Sequence, residues 1–533
     1  MRAIKKLRLF FFNAALLSFV NVLVRLITVS FNAYVSAKVG AEGMGLITLV
    51  MSVYGLSVTV AASGVNLAAM RLTAEALAKS ESEGFACGRR RMGAVMGACT
   101  GYSLLFGIFA GVSLFAASGW IGTALLGDGR TVPSLRALAI SLPAISMSSA
   151  LGGYFTGMRQ VYKNAAVTVT EQFVKITLSA AALLLLAPAG VEYACLSIVG
   201  SAALAEGASL VVSLLLYAWD CRKTKSTAKA APLPPADRRA FPRVFHTAFP
   251  VAAGAYARQG LVTAEHLAIP WGLRKSGANA SEALASYGVL HGMVYPLIFF
   301  PSAVLGAFAS LLIPEFAACR QRGETERIRH MAERVMETAL LFSIGVSGIF
   351  LAFGHSIASG LYPGTDAAVH LAVFAPLIPV MYLDTAVDSM LKGLGQQMHC
   401  MKVNIADSLC CLVLVLLLLP RMGLRGYYVV QYACELMNAA LSITRLLSVT
   451  GLRVRLVRWV VRPTVSVILA SSILRIASMS GAIPLIGAAG EMPVRIGATA
   501  VLYLLFAAGP VFLRQYIQSR SKGRLSAGKR NAI

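Results

Sequence analysis

The sequence predicts an all-α polytopic membrane protein of about fourteen transmembrane helices, built as two six-helix lobes followed by two additional helices. Three observations predict it. First, 57% of the 533 residues are hydrophobic against 13% charged, with a mean hydropathy of +0.71, so apolar runs of spanning length recur along nearly the whole chain. Second, the cations behind a net charge of +25 cluster between the apolar runs and not on one polar face, which points to membrane topology and away from nucleic acid. Third, the two halves repeat one another at an offset of about 233 residues, with charges that are costly in lipid standing at equivalent depth in both. Arg25 falls opposite Arg258, Glu171 opposite Asp407, and Pro143 and Pro188 opposite Pro379 and Pro420.

Taken in order, windows of about 20 apolar residues place the spans of an N-lobe (1–219) near 10–36, 43–70, 92–117, 134–157, 162–187 and 191–219. A basic connector, 220–243, contains Pro232, Pro234 and Pro235 and reads as a cytoplasmic linker. The C-lobe (244–450) supplies spans near 244–271, 284–318, 335–360, 368–392, 401–420 and 424–447. Two further helices near 459–480 and 493–517 fill 451–518, and 519–533 is a basic tail.

Orientation follows from alternate connections. One set carries Arg2, Lys5, Lys6 and Arg8, then Arg89 to Arg91, Arg159 and Lys163, the linker cations, Arg320 to Arg334, Arg453 to Arg462, and the tail; the other set holds only scattered cations such as Lys38 and Arg130. The positive-inside rule then puts both termini in the cytoplasm of a cell-membrane protein. The first apolar stretch is read as an uncleaved helix despite the Val35-Ser36-Ala37 run, because Arg25 and its length are foreign to a signal peptide. Cysteines such as Cys99, Cys195, Cys410, Cys411 and Cys434 lack paired ligand spacing and read as small buried hydrophobes. Trp120, Trp271 and Trp459, near span ends, read as interfacial anchors.

Between spans one and two runs Ser36-Ala37-Lys38-Val39-Gly40-Ala41-Glu42-Gly43-Met44-Gly45, and Ala62-Ser63-Gly64-Val65-Asn66 with Arg71 to Glu75 closes span two. These runs resemble the N-terminal signature of the stage V sporulation protein B group of polysaccharide exporters. That group lies in the multidrug/oligosaccharidyl-lipid/polysaccharide (MOP) superfamily with MurJ-type lipid II flippases and multidrug and toxin extrusion (MATE) transporters. The resemblance implies a V-shaped pair of lobes that alternates access to move an amphiphile across the bilayer. From the residues themselves, Gly40, Gly43 and Gly45 permit a tight exoplasmic turn with positive φ, and Glu42 is free to face water.

The intramembrane charges are the candidate site. A guanidinium at mid-span needs water, a carboxylate or a phosphate, and its fork suits the pyrophosphate that links a polyprenyl carrier to a saccharide. Arg25 and Arg258, with Arg71, are therefore candidate substrate ligands; the resembling flippases place arginines on their first helix, which supports Arg25 alone. The alternative is that each arginine neutralises an acid of its own lobe, such as Glu171 or Glu265. Glu171 and Lys175, four apart, read as a structural pair. Asp384 and Asp388 share a helix face, with no cation assigned at that spacing, and with Asp407 and Glu265 are candidates for coupling or gating, by splitting their titrations or holding a cation. Glu206, Glu435 and His266 stay open between tether and site. Prolines such as Pro143, Pro250, Pro301, Pro376 and Pro379 allow bends.

Three functions remain: a flippase for an undecaprenyl-linked envelope saccharide, with spore peptidoglycan as the setting the resemblance implies; a cation-coupled drug antiporter; and a non-transporting membrane enzyme or scaffold. No nucleotide-binding loop or zinc spacing occurs, so no cofactor is expected beyond a coupling ion, H+ or Na+. The expected partners are a lipid-linked saccharide and membrane lipid, not nucleic acid, and a monomer is the expected state.

Overall fold

The computed structural model describes residues 2–62, 64–83, 85–225, 240–479 and 492–507. No strand occurs among them, as expected where lipid forces every backbone group to be satisfied within its own segment. In chain order the helices are α1 (Arg2–Ala62), α2 (Val65–Glu83), α3 (Phe85–Trp120), α4 (Val132–Gly157), α5 (Val161–Leu186), α6 (Val191–Lys225), α7 (Ala240–Lys275), α8 (Ala280–Tyr287) and α9 (Tyr295–Phe299). They continue with α10 (Ser302–Gln321), α11 (Thr325–Leu361), α12 (Ala367–Phe374), α13 (Ile378–Gly393), α14 (Gln397–Met422), α15 (Leu424–Thr450), α16 (Arg462–Met479) and α17 (Met492–Ala507). Most of the linker and the basic tail lie outside the described residues, as does the end of the last expected span.

Ten helices among the described residues are long and apolar enough to cross a membrane. That number sits below the fourteen expected partly because one run, Val22–Leu77, carries both of the first two spans. In addition α7 and α15, at the expected spans 244–271 and 424–447, hold charges such as Arg258, Glu265, Arg425 and Arg445 and are not among the ten.

Two compact units emerge: Met1–Ala307 with Met401–Cys434, and Phe308–Cys400 with Glu435–Ile533. Within the first, small residues let helices approach closely, as is usual where lipid provides no hydrophobic drive between them. A methyl group added at Gly107 or Gly111 of α3 would strike Pro143 or Ala139 of α4, and one at Gly153 of α4 would strike Asn66 and Ala69 of α2. Around them Val65, Ala68, Cys99, Tyr102 and Val244 form a buried core. Large apolar side chains such as Phe109, Phe173 and Leu185 point outward, which is stable only against acyl chains.

The structure corrects four local expectations. The 36–45 connection is not a loop: the chain stays helical on both sides of a single non-helical residue, Gly40, at φ 71°. Gly43 and Gly45 are helical, and Gly45 serves close approach instead, since a side chain there would collide with the Leu284 backbone. Glu42 does not simply face water; it accepts hydrogen bonds from Arg130 Nη2 at 2.8 Å and Ser281 Oγ at 2.7 Å. The expected 284–318 span is broken into α8, a π-helical turn Gly288–Val294, α9 and α10, with Pro301 at the last break because it has no N–H to continue the ladder. Trp459, expected at the interface, is 1% exposed and packed inside the second unit, whereas Trp120 and Trp271 are exposed as anchors require.

Candidate functional site

The break at Pro301 shapes the surroundings of Arg25. Helix α9 ends at Phe299, so its last carbonyls have no partner further along the helix. The Phe299 carbonyl accepts from Ser302 Oγ at 2.7 Å and from Arg25 Nη1 at 3.1 Å, which ties the middle of α1 to the end of α9. Arg25 is otherwise exposed.

Arg258 stands exposed on α7. The face of α7 that meets α1 is marked by Tyr256, whose hydroxyl donates to the Val60 carbonyl at 3.2 Å, and by Thr263, which donates to the Ser52 carbonyl at 3.1 Å. Arg258 lies two residues from Tyr256 and so on another face. Among the described residues neither Arg25 nor Arg258 forms an ion pair. Arg71 differs. It pairs with Glu75 at 3.0 Å, and Glu75 also meets Arg243 at 3.4 Å, so its charge is already answered by an acid.

The acids fall into separate neighbourhoods. Glu265 on α7 accepts a hydrogen bond from Cys411 Sγ at 3.2 Å, with Gln431 and Asp407 close by, so α14 and α15 enclose it. Asp384 accepts from Asn438 Nδ2 at 3.4 Å in the second unit. Asp388 pairs with Lys392 at 2.9 Å, a cation one turn along α13 that the reading of these two carboxylates as lacking one left out. Glu171 and Lys175 share a face of α5 without a direct ion pair, and Glu206 of α6 lies within electrostatic range of both.

Lys175 lines a cavity of about 190 Å³ with Thr28, Asn32, Thr48, Gln172 and His291. His291 leads into a polar aromatic cluster of which the sequence reading singled out His266 alone. His266 Nδ1 lies 2.7 Å from the Tyr287 hydroxyl, and His291 Nε2 lies 2.9 Å from the Tyr427 hydroxyl. The signal was present as an aromatic stripe at four-residue spacing, Tyr287, His291, Tyr295 and Phe299, in a span read only for its apolarity. In the second unit a groove of about 1160 Å³ is lined mainly by apolar side chains, among them Leu340, Ile344, Leu383 and Val467.

Residues 11–249 match the family model described as polysaccharide biosynthesis protein. The chain is 26% identical over 395 residues to stage V sporulation protein B of Bacillus subtilis (strain 168), covering 73% of this chain and 74% of that one. Its fold is similar to that of the lipid II flippase MurJ in an inward closed conformation, with a TM-score of 0.66 at 12% identity, covering 94% of this chain and 100% of that one. A multidrug resistance MATE family transporter of the MOP superfamily, in its inward-facing conformation, matches with a TM-score of 0.60 at 14% identity over 81% of this chain and 97% of that one.

Proposed function

We propose that this chain, whose residues 11–249 match the model described as polysaccharide biosynthesis protein and whose fold is similar to that of MurJ, is a multi-pass membrane flippase for a polyprenyl-pyrophosphate-linked envelope saccharide, lipid II-like in chemistry. The observation that carries the reading is the pair Arg25 and Arg258: two guanidiniums on α1 and α7, within the spans expected at 10–36 and 244–271, both exposed and neither in an ion pair with a described residue. Beyond the one N–H that Arg25 gives to the Phe299 carbonyl, a cation in lipid without a carboxylate is left to water or an anionic ligand, and a guanidinium fork matches a pyrophosphate.

On this reading the chain works as two six-helix lobes in the cytoplasmic membrane, with both termini inside, and acts by alternating access. Its relative in Bacillus subtilis makes the supply of precursor to spore peptidoglycan the proposed setting. Glu265 and Asp407, which share one neighbourhood, are the acids best placed for coupling or gating; Asp388, neutralised by Lys392, is a weaker choice.

The test is reconstitution of the full chain in proteoliposomes with an undecaprenyl-pyrophosphate-linked disaccharide, scored by enzymatic access to the headgroup on each side. Translocation by the wild type, lost in Arg25→Ala and Arg258→Ala at equal reconstitution, is the expected result. No translocation by the wild type, or unaltered rates in both variants, defeats the reading.

A further inference from the structure

The aromatic cluster of the first unit offers a second chemistry. The rings of His266 and His291 lie with centroids 4.7 Å apart at an interplanar angle of 65°. One nitrogen of each is bonded to a tyrosine hydroxyl, Tyr287 for His266 and Tyr427 for His291, and both tyrosines are fully buried. No hydrogen bond from a described residue engages His266 Nε2 or His291 Nδ1. The Tyr427 hydroxyl continues to the Tyr295 hydroxyl at 3.2 Å, and Tyr295 opens α9, whose last carbonyl holds Arg25. His291 sits in the π-helical turn Gly288–Val294, a departure from the α-helical ladder of the kind found at functional sites, and it lines the cavity beside Lys175.

We propose that the His266–His291 pair binds one proton and that this proton is the ion coupled to transport. The inference rests on the transporter reading above and names its coupling ion. The added proton bonds to the lone-pair nitrogen of one ring; at His291 this is Nε2, which accepts from the Tyr427 hydroxyl in the neutral tautomer that carries its hydrogen on Nδ1. Two imidazoliums in ring contact repel each other, so the pair takes one charge and not two. The hydrogen bonds then rearrange in a defined way. Neutral imidazole presents one donor and one acceptor, but imidazolium presents two donors. With the charge on His291, Nε2 donates to the Tyr427 oxygen, and the Tyr427 hydroxyl proton is directed onward to Tyr295. Protonation is thereby transmitted to the helix that anchors Arg25.

The ionisable groups around the pair are Glu265 on its own helix, Lys175 from α5, Cys411 and Asp407 from α14, Tyr295 from α9, and Tyr287 and Tyr427; α1 lines the cavity with Thr28, Asn32 and Thr48 and adds no charge. Glu265 favours the imidazolium and Lys175 opposes it. A state in which water fills the cavity at His291 lowers the cost of the charge, so proton uptake and that state favour each other.

Two measurements decide the proposal. In the first, full-length protein carrying ¹⁵N-labelled histidine is titrated in detergent, with His266→Gln and His291→Gln used for assignment. Uptake of one proton shared by the two rings between about pH 5 and 8, where imidazole titrates, is expected. Two rings that both stay neutral across that range, or that charge independently, overturn it. In the second, proteoliposomes are loaded with the undecaprenyl-pyrophosphate-linked disaccharide and given a gradient of one pH unit. The ratio of rates with and without the gradient is expected to approach about tenfold in the wild type, one unit being a tenfold change in proton activity, and to fall to about one in His266→Gln and His291→Gln. Tyr427→Phe keeps the ring and removes the hydroxyl, and is expected to shift the pH midpoint of transport. Wild-type transport indifferent to the gradient, or an unchanged ratio in both glutamine variants, overturns the coupling role. If the wild type moves no lipid at all, the flippase reading fails, and the titration alone decides the proton site.

Discussion

The Lys163 ammonium and the Asp220 carboxylate form an ion pair in which the lysine is only 2% exposed, with the ammonium also lying 5.4 Å from the Phe155 ring centroid and 5.6 Å from that of Trp219. It joins the start of α5 to the later part of α6. Removing one partner leaves a buried charge uncompensated, so Lys163→Met or Asp220→Leu is expected to destabilise the protein by about 3–5 kcal/mol. The double variant, which removes both charges, recovers most of that loss. Thermal unfolding of the three variants in one detergent checks this: a double variant no better than the singles contradicts it.

Lysine is the informative replacement at the arginines. Arg25→Lys and Arg258→Lys keep the charge and lose the planar fork, and on the flippase reading each lowers translocation by about tenfold, as expected for loss of one good charge-assisted hydrogen bond. Arg71, already paired with Glu75, is expected to tolerate alanine better than either. Initial rates with the lipid-linked disaccharide rank the three, and a larger effect at Arg71 than at Arg25 would sink the assignment.

Gly288 and Gly97 make a contrast within one chain. A methyl at Gly288 would strike the backbone of Ala41 and Gly45, whereas one at Gly97 meets nothing within 4 Å. Gly288→Ala is expected to cost about 1–3 kcal/mol through overpacking, with Gly97→Ala neutral or slightly stabilising as a helical Gly→Ala change. Melting temperatures measured side by side test it, and equal values for both variants would show that the two helices separate freely there.

The proposed orientation puts both ends of the chain in the cytoplasm. A green fluorescent protein fused to the C-terminus is expected to fluoresce, and alkaline phosphatase inserted at Gly129 to be active. An active phosphatase at the C-terminus reverses the orientation.

Much of the fold was legible because lipid imposes simple rules on a sequence. Length and apolarity located α3, α5, α6, α11 and α14, and the family resemblance anticipated the transporter fold. What the hydropathy reading missed was the continuity of the chain. It placed a loop at 36–45, where the helical segments meet across Gly40 alone, and it ran one helix through 284–318, where Pro301 and a π-helical turn break it. A window that averages about 20 residues cannot register one left-handed glycine or one missing N–H. The site was legible in kind and not in pairing. Arg25 and Glu265 were visible as costly charges, but their partners are a backbone carbonyl and a cysteine thiol, neither of which carries a charge for a pattern search to find. Lys392, by contrast, stood four residues from Asp388 and was open to the same i,i+4 rule applied to Glu171.

The Phe299 carbonyl gives Arg25 a fixed post. Of the five N–H donors on a guanidinium, one is held by the chain, and on the flippase reading the other four are left for the substrate. A side chain moored at one corner keeps its plane while the rest of its edge stays vacant, so an arriving anion need not first still a freely swinging arm. Because the mooring is the last turn of a five-residue helix, a rotation of that short segment would re-aim the cation with no bend required of α1.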